Sequence, residues 1–335
     1  MPIVKLHFLK FYDSISSEKS SIWRSKMIDL HMHSHHSDGT EDCVSILKKC
    51  QEKGLDYISI TDHNTATAYK ELENIDVSKY FKGKIIPGIE LNTKVLNIPI
   101  EILGYGIDYD KICELTPKIY IDPSKRNLIE AERLYNKCLK YGIILDDDCL
   151  EKYTPESFAS GFFHKQITKY EENKKLISSE AWESSKILYR QYMSDPNAPL
   201  YVEMDDLVPD FETASSLIRQ CGGLVFLPHI YEYKHNSTAI LNYILQNHSI
   251  DGIECFYTTF STEQHNRILQ ICRNRNLFIS GGTDFHGKNK SNVSIGTGSG
   301  NLQIPTEIIS NWVPQISLFN NRKIIQRQTD TDFSR

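Results

Sequence analysis

The chain has 335 residues, of which 40% are hydrophobic and 24% charged; this is ordinary globular composition, long enough for one large α/β unit with an insertion or for two domains. With 38 Lys and Arg against 43 Asp and Glu, its net charge of −5 argues against binding nucleic acid by broad phosphate neutralisation. No apolar run approaches the ~18 residues of a membrane-spanning helix, and the eight scattered cysteines form no C-x-x-C pair, which excludes a zinc ribbon and a thioredoxin motif.

In chain order, residues 1–26 share no pattern with the rest of the chain. Lys5 and Lys10 interrupt the apolar residues of this segment, so it reads as a poor signal peptide and as an extension of open role. Ile28 to His33 alternates like a strand. A helix is predicted from Glu41 to Lys53, with Thr40 as N-cap and Gly54 as stop. Tyr57–Ile60 reads as a second strand and Thr65–Glu73 as a helix. Lys84 to Leu91, through Pro87-Gly88, reads as a third strand, and Ile98–Tyr105 as a fourth.

The texture changes near residue 110. Stretches 124–141, 156–177 and 180–193 read as helices with no strand between them, so 110–205 is predicted to be a helical insertion. Strands resume at Gly223–Leu227, Asp251–Phe256 and Leu277–Ser280, and the tail from 306 reads as peripheral. Repeated βα units predict a parallel sheet or barrel formed by 27–109 and 206–305. Active sites of such folds gather at the carboxyl ends of the strands.

Chemistry-bearing residues stand at those ends. His31 and His33 are two apart on a strand and face the same way, suited to chelating one cation. Asp38 follows in the turn. His63 ends the second strand in Thr-Asp-His, Glu90 follows Pro87-Gly88-Ile89, and His229 stands in Leu-Pro-His. Asp284 and His286 share one face of an extended segment. Each is weak alone. Together, several carboxylates and imidazoles without a thiolate suit more than one divalent ion and not a structural zinc site. Such multinuclear sites hydrolyse phosphate esters.

These residues carry a specific resemblance. His31-Met32-His33, Ser37-Asp38-Gly39, Thr61-Asp62-His63, Pro87-Gly88-Ile89-Glu90, Ile102-Leu103-Gly104-Tyr105, Pro228-His229 and Gly282-Thr283-Asp284-Phe285-His286 resemble, in order, the motif series of the PHP (polymerase and histidinol phosphatase) superfamily. The match covers about 28–300. Within the superfamily the chain is similar to the stand-alone phosphoesterases of nucleoside 3′,5′-bisphosphates and short oligonucleotides, the RNase AM-like group. Lys125-Arg126-Asn127, with Tyr141-Gly142-Ile143 further on, resembles that group's Arg-Asn-led helix.

The resemblance implies a distorted (β/α)7 barrel with a helical cap and a three-metal site. One ion would take His31, His33, Glu90 and Asp284. A second would share Glu90 and add His229. A third would take Asp38, His63 and His286. Mn²⁺ is the expected metal, with Zn²⁺, Fe²⁺ and Mg²⁺ as alternatives. The expected chemistry is attack of a metal-activated hydroxide on a small nucleotide or short oligonucleotide, in a cytoplasmic enzyme with no extended nucleic-acid surface and no membrane partner. Other small monoesters, such as histidinol phosphate, or metal-dependent nucleotide binding without hydrolysis, are the alternatives. Arg126, His229 and His286 are the expected catalytic residues, and Arg126, His164 and His35 the expected substrate contacts. Two departures stand out. Glu101 occupies the place of a usual His ligand, where a carboxylate favours harder ions. In Gly161-Phe162-Phe163-His164, either His164 serves the helix's usual His role or Phe162 has replaced it.

Overall fold

A computed structural model describes residues 26–300 and 302–320. The expectations for residues 1–25 and 321–335 lie outside them. The described chain is a mixed α/β fold. Strands β1 (Met27–Asp29), β2 (Leu55–Ile58) and β3 (Lys84–Ile85) form a parallel three-stranded sheet, with helices α1 (Cys43–Lys53) and α2 (Thr67–Leu72) in the connections. Strands β4 (Gly88–Val95) and β5 (Ile98–Tyr105) follow, then helices α3 (Tyr109–Ile119), α4 (Pro123–Tyr141), α5 (Ala159–Ile167), α6 (Ser179–Glu183), α7 (Ser185–Leu188) and α8 (Phe211–Gln220). The chain continues through β6 (Leu224–Leu227), α9 (Ser237–Asn247), β7 (Gly252–Tyr257), α10 (Thr262–Arg275) and β8 (Phe278–Gly282). The second sheet has the order β4-β5-β6-β7-β8. Among the described residues no helix is long and apolar enough to cross a membrane.

The sheets are not one continuous closed ladder, and the second is not all parallel. The predicted third strand is two strands. The β4–β5 connection is a hairpin, not a crossover, because Leu96 and Asn97 both adopt positive φ (54° and 58°). That is the backbone twist a two-residue turn needs between antiparallel strands. Single bridges, Met32 to Phe285 and His63 to Glu90, join the ends of the two sheets. At the first junction Leu30, His33 and Asp284 donate backbone hydrogen bonds across the gap, to Gly281, Phe285 and His31 respectively. Gly282 makes this approach possible, since a Cβ there would meet the His31 Cβ at 2.2 Å.

Helix α1 begins later than predicted. Asp42, not Thr40, is the N-cap and accepts from Ser45 N at 2.7 Å; Gly54 closes the helix at φ 67°. Thr40 Oγ1 instead accepts from Lys288 N, tying the first turn to the segment after β8. The stretches predicted as helices over 156–177 and 180–193 are shorter pieces, α5 with a 3₁₀ turn at Glu171–Lys175, and α6 with α7.

The hydrophobic interior has two clusters. The larger takes Ile28, Ile58, Ile89, Leu103, Val225, Ile253 and Ile279 from the strands and Ile46, Ile112 and Leu217 from the helices against them. The smaller is built within 131–200, from residues such as Leu134, Cys138, Phe163, Ile167 and Leu188. The segment from 306 is not peripheral in its described part. Trp312 is fully buried, lies against Tyr105 and donates to the Ile279 carbonyl at 3.0 Å, because an indole N–H withdrawn from water needs an acceptor. His265 is partly buried beside Phe256, with its Nδ1 2.9 Å from the Cys255 carbonyl.

Candidate metal centre

The strand ends bring the predicted residues together. His31 and His33 lie on the extended segment after β1, and both are fully buried. His63 follows β2, His229 follows β6, and Asp284 and His286 follow β8. Glu90 lies on β4. Glu101 of β5 pairs with Asn92, two residues from Glu90, so Glu90 and Glu101 point to the same face of the hairpin. His229 and Asp284 have positive φ (26° and 56°), which costs a non-glycine residue energy. Strain of this kind persists where the surroundings demand a particular side-chain direction, and here both side chains turn into the cluster.

The atoms sort into overlapping groups. His31 Nε2 is 3.3 Å from Glu90 Oε2 and 3.6 Å from Asp284 Oδ1; His33 Nε2 is 3.2 and 3.3 Å from the same two oxygens. Ligands about 2.1 Å from a tetrahedral cation are about 3.4 Å apart, so this spacing is that of a chelating set. The other Glu90 oxygen is 2.9 Å from His229 Nε2, which lies 3.3 Å from Glu101 Oε2. Asp38 Oδ1 lies 3.2 Å from His286 Nε2 and 3.7 Å from His63 Nε2. Thus the two oxygens of Glu90 serve two neighbouring groups.

The donor set fits divalent cations. His33 Nδ1 and Nε2, His63 Nδ1 and His229 Nδ1 are buried and make no hydrogen bond. Buried polar atoms left in this state need a partner. The charges say the same. Burial pulls the pKa of His31 down, but Glu90, Glu254 and Asp284 outweigh it and raise it well above the usual imidazole value. Burial opposes protonation of His33 too, yet Asp284 and Glu90 raise it to about 10; at His229, Glu90 overcomes the same penalty and raises it to about 9. Burial alone would push Glu90 and Asp284 up, but the surrounding imidazoles, with Lys290 at Asp284, hold both well below the carboxylate range. The carboxylates demand positive charge, which protons supply when no cation does.

Several participants carry no sequence signal of their own. Glu254 of β7 is fully buried; its Oε1 lies 3.0 Å from His31 Nδ1 and its Oε2 accepts from His229 N at 2.8 Å. It therefore orients one imidazole and the backbone of another. A glutamate within the apolar run Gly252–Tyr257 is the one hint of this in the sequence. Lys290 Nζ and Tyr257 Oη both donate to Asp284 Oδ2, at 2.5 and 2.7 Å. Asp62 accepts from Ser34 N, Ser34 Oγ and Ser37 Oγ and so holds the loop that carries Asp38.

A cavity of about 700 Å³ opens beside the cluster, lined by Asp38, His63 and Glu101 and, from the first turn of α4, by Arg126 and Asn127. Asp122 caps α4 and Pro123 starts it, which sets Arg126 at the cavity wall. Arg126 is half-exposed, 3.3 Å from Glu130. His164 and His35 are not among the lining residues. The His164 Nε2 lies 2.9 Å from the Trp182 carbonyl within the helical insertion, and His35 lies against His36 and Glu71.

The PHP domain profile matches residues 29–183. The chain is 24% identical over 270 residues to phosphoribosyl 1,2-cyclic phosphate 1,2-diphosphodiesterase of Eggerthella lenta, covering 78% of this chain and 94% of that protein. It is 22% identical over 274 residues to 3′,5′-nucleoside bisphosphate phosphatase of Chromobacterium violaceum, covering 80% and 90%. In fold it is similar to an amidohydrolase from Chromobacterium violaceum solved with bound sulfate, with a TM-score of 0.65, 20% identity and coverage of 88% and 99%. The motif order and the profile match agree that this chain carries a PHP domain over residues 29–183.

Proposed function

We propose that this protein is a metal-dependent phosphoesterase that hydrolyses phosphate esters of nucleotides, 3′,5′-bisphosphates or the 5′ ends of short oligonucleotides. The observation that carries the reading is the convergence of five imidazoles and four carboxylates beside a cavity that Arg126 also lines. The volume suits a mononucleotide rather than a polymer surface.

In this reading His31, His33, Glu90 and Asp284 hold one cation, Glu90, Glu101 and His229 a second, and Asp38, His63 and His286 a third, with Mn²⁺ preferred because Glu101 adds a carboxylate where a His is usual. When bound, such ions lower the pKa of a water molecule and neutralise phosphate oxygens. Arg126 offers a planar fork to two oxygens of the scissile phosphate. Lys290 and Tyr257 keep Asp284 ionised and aimed, and Glu254 fixes the His31 ring. The units 27–109 and 206–305 form the catalytic body, read as one distorted (β/α)7 barrel, and 110–205 forms the cap. A cytoplasmic setting suits the eight free cysteines.

The test is elemental analysis of protein purified without chelator, with phosphate release measured from a nucleoside 3′,5′-bisphosphate in Mn²⁺. Close to three metals per chain with turnover is expected. Two or fewer metals without turnover would overturn the reading. The likeness to the Eggerthella protein favours a second substrate class, a phosphoribosyl cyclic phosphodiester, and a panel that includes it separates the two.

Glu254→Gln is expected to weaken metal binding by about 10–100-fold, the usual cost of removing a ligand's orienting partner. Competition with a chromophoric chelator reads this, and wild-type affinity would remove Glu254 from that role.

A further inference from the structure

A second set of metal-ligating side chains lies outside the cluster. His36 Nε2 is 2.7 Å from Glu71 Oε2, and His35 Nε2 is 3.6 Å from the same oxygen. One ligand atom from each of the three residues lies within 4.8 Å of the others. The two imidazole rings are 4.3 Å apart and tilted by 33°, and the Nε2 atoms of both approach the same Glu71 oxygen. Among the described residues no lysine or arginine pairs with Glu71; its charge faces the two imidazoles.

The framework behind these side chains is already ordered. Ser34 O accepts from Ser37 N and Gly39 N, His35 N donates to Glu41 O, and His36 N donates to Ser34 Oγ. Glu71 stands on α2, a separate element. Two elements thus present three ligands with little left to order. The side chains are partly exposed, which leaves a side open to water. Two imidazoles, one carboxylate and an open position form the donor set of a transition cation, not of Mg²⁺ or Ca²⁺.

We propose that His35, His36 and Glu71 form a separate binding site for one first-row transition cation, Zn²⁺ or a neighbour in that series, at the rim of the cavity. His36 is itself a lining residue of that cavity, and Asp38 lies two residues further on. A cation held there ties the Ser34–Asp38 loop to α2 and so braces the carboxylate of Asp38 at the cavity wall. The site shares no ligand with the inner cluster.

The test uses the full-length protein, stripped of metal and titrated with Zn²⁺ against a competing chromophoric chelator. The variant His35→Ala with His36→Ala is expected to bind one equivalent fewer than the wild type. Glu71→Gln is expected to weaken that same equivalent. Both sets of changes are at partly exposed positions, and thermal unfolding checks that each variant is folded. The difference between the counts reads the rim site whether the inner cluster takes three ions or none. Either variant keeping the wild-type count and affinities overturns the proposal.

Discussion

Phosphate release from a nucleoside 3′,5′-bisphosphate is expected to fall by about 10²–10³-fold or more in His33→Ala, with the fold retained. His33 is fully buried, and its Nε2 lies within 3.3 Å of oxygens from both Glu90 and Asp284. Its Nδ1 is 3.7 Å from Asp38, so one ring touches two of the ligand groups. Asp284→Ala removes the facing carboxylate and is expected to match it. The interior around these positions is held by the apolar strands, so far-ultraviolet circular dichroism is expected to be unchanged. Elemental analysis separates lost metal from lost chemistry. Turnover near the wild-type rate in metal-replete His33→Ala would sink the assignment of the cluster as the active site.

Asp29→Asn is expected to destabilise the fold by about 2–4 kcal/mol, although Asp29 touches neither the cavity nor a proposed cation. Its fully buried carboxylate accepts from Thr283 Oγ1 at 2.7 Å, Gly296 N at 2.8 Å, Thr283 N at 3.0 Å and His31 N at 3.4 Å. All four partners donate, so an amide nitrogen placed among them meets a donor. The contacts join β1 to the segments on both sides of Asp284, so the loss also loosens the ligand frame. The pH dependence has a definite sign. Burial pushes the Asp29 pKa up to about 6 from 3.8, against the opposing hydrogen bonds. The folded state therefore binds this proton more tightly than the unfolded chain. The contribution to stability is greatest below about pH 4 and falls as pH rises to about 6, by roughly 3 kcal/mol for a shift of this size. The stability gap between wild type and Asp29→Asn is thus expected to be wider at pH 4 than at pH 7. Denaturant unfolding at the two pH values measures it, and a gap that widens with rising pH would reverse the argument.

Most of the proposed ligand residues were legible because they sit where a local pattern ends. A strand of period 2 puts His31 and His33 on one face whatever the rest of the chain does. Apolar runs ending in Thr-Asp-His, Leu-Pro-His or Thr-Asp-Phe-His announce polar groups at strand termini. Glu254 was not legible, because its meaning depends on His31, more than 200 residues away in the chain. The same holds for Lys290, an ordinary surface-type lysine until Asp284 turns towards it. The neighbour of His164 was not legible either: its Nε2 lies 2.9 Å from the Trp182 carbonyl, a contact that only the packing of the insertion sets.

By itself, the amino-acid sequence determined the inventory of ligating groups, their order and, for most of them, their placement just beyond strand ends, since these follow from side-chain chemistry and short-range backbone periodicity. The tertiary structure alone decided that β4 and β5 form a hairpin, that Trp312 belongs to the core, and that the two oxygens of Glu90 face different groups of imidazoles. Those outcomes depend on which distant segments pack together, and on the cost of leaving a buried polar atom without a partner. No local pattern in the chain encodes either quantity.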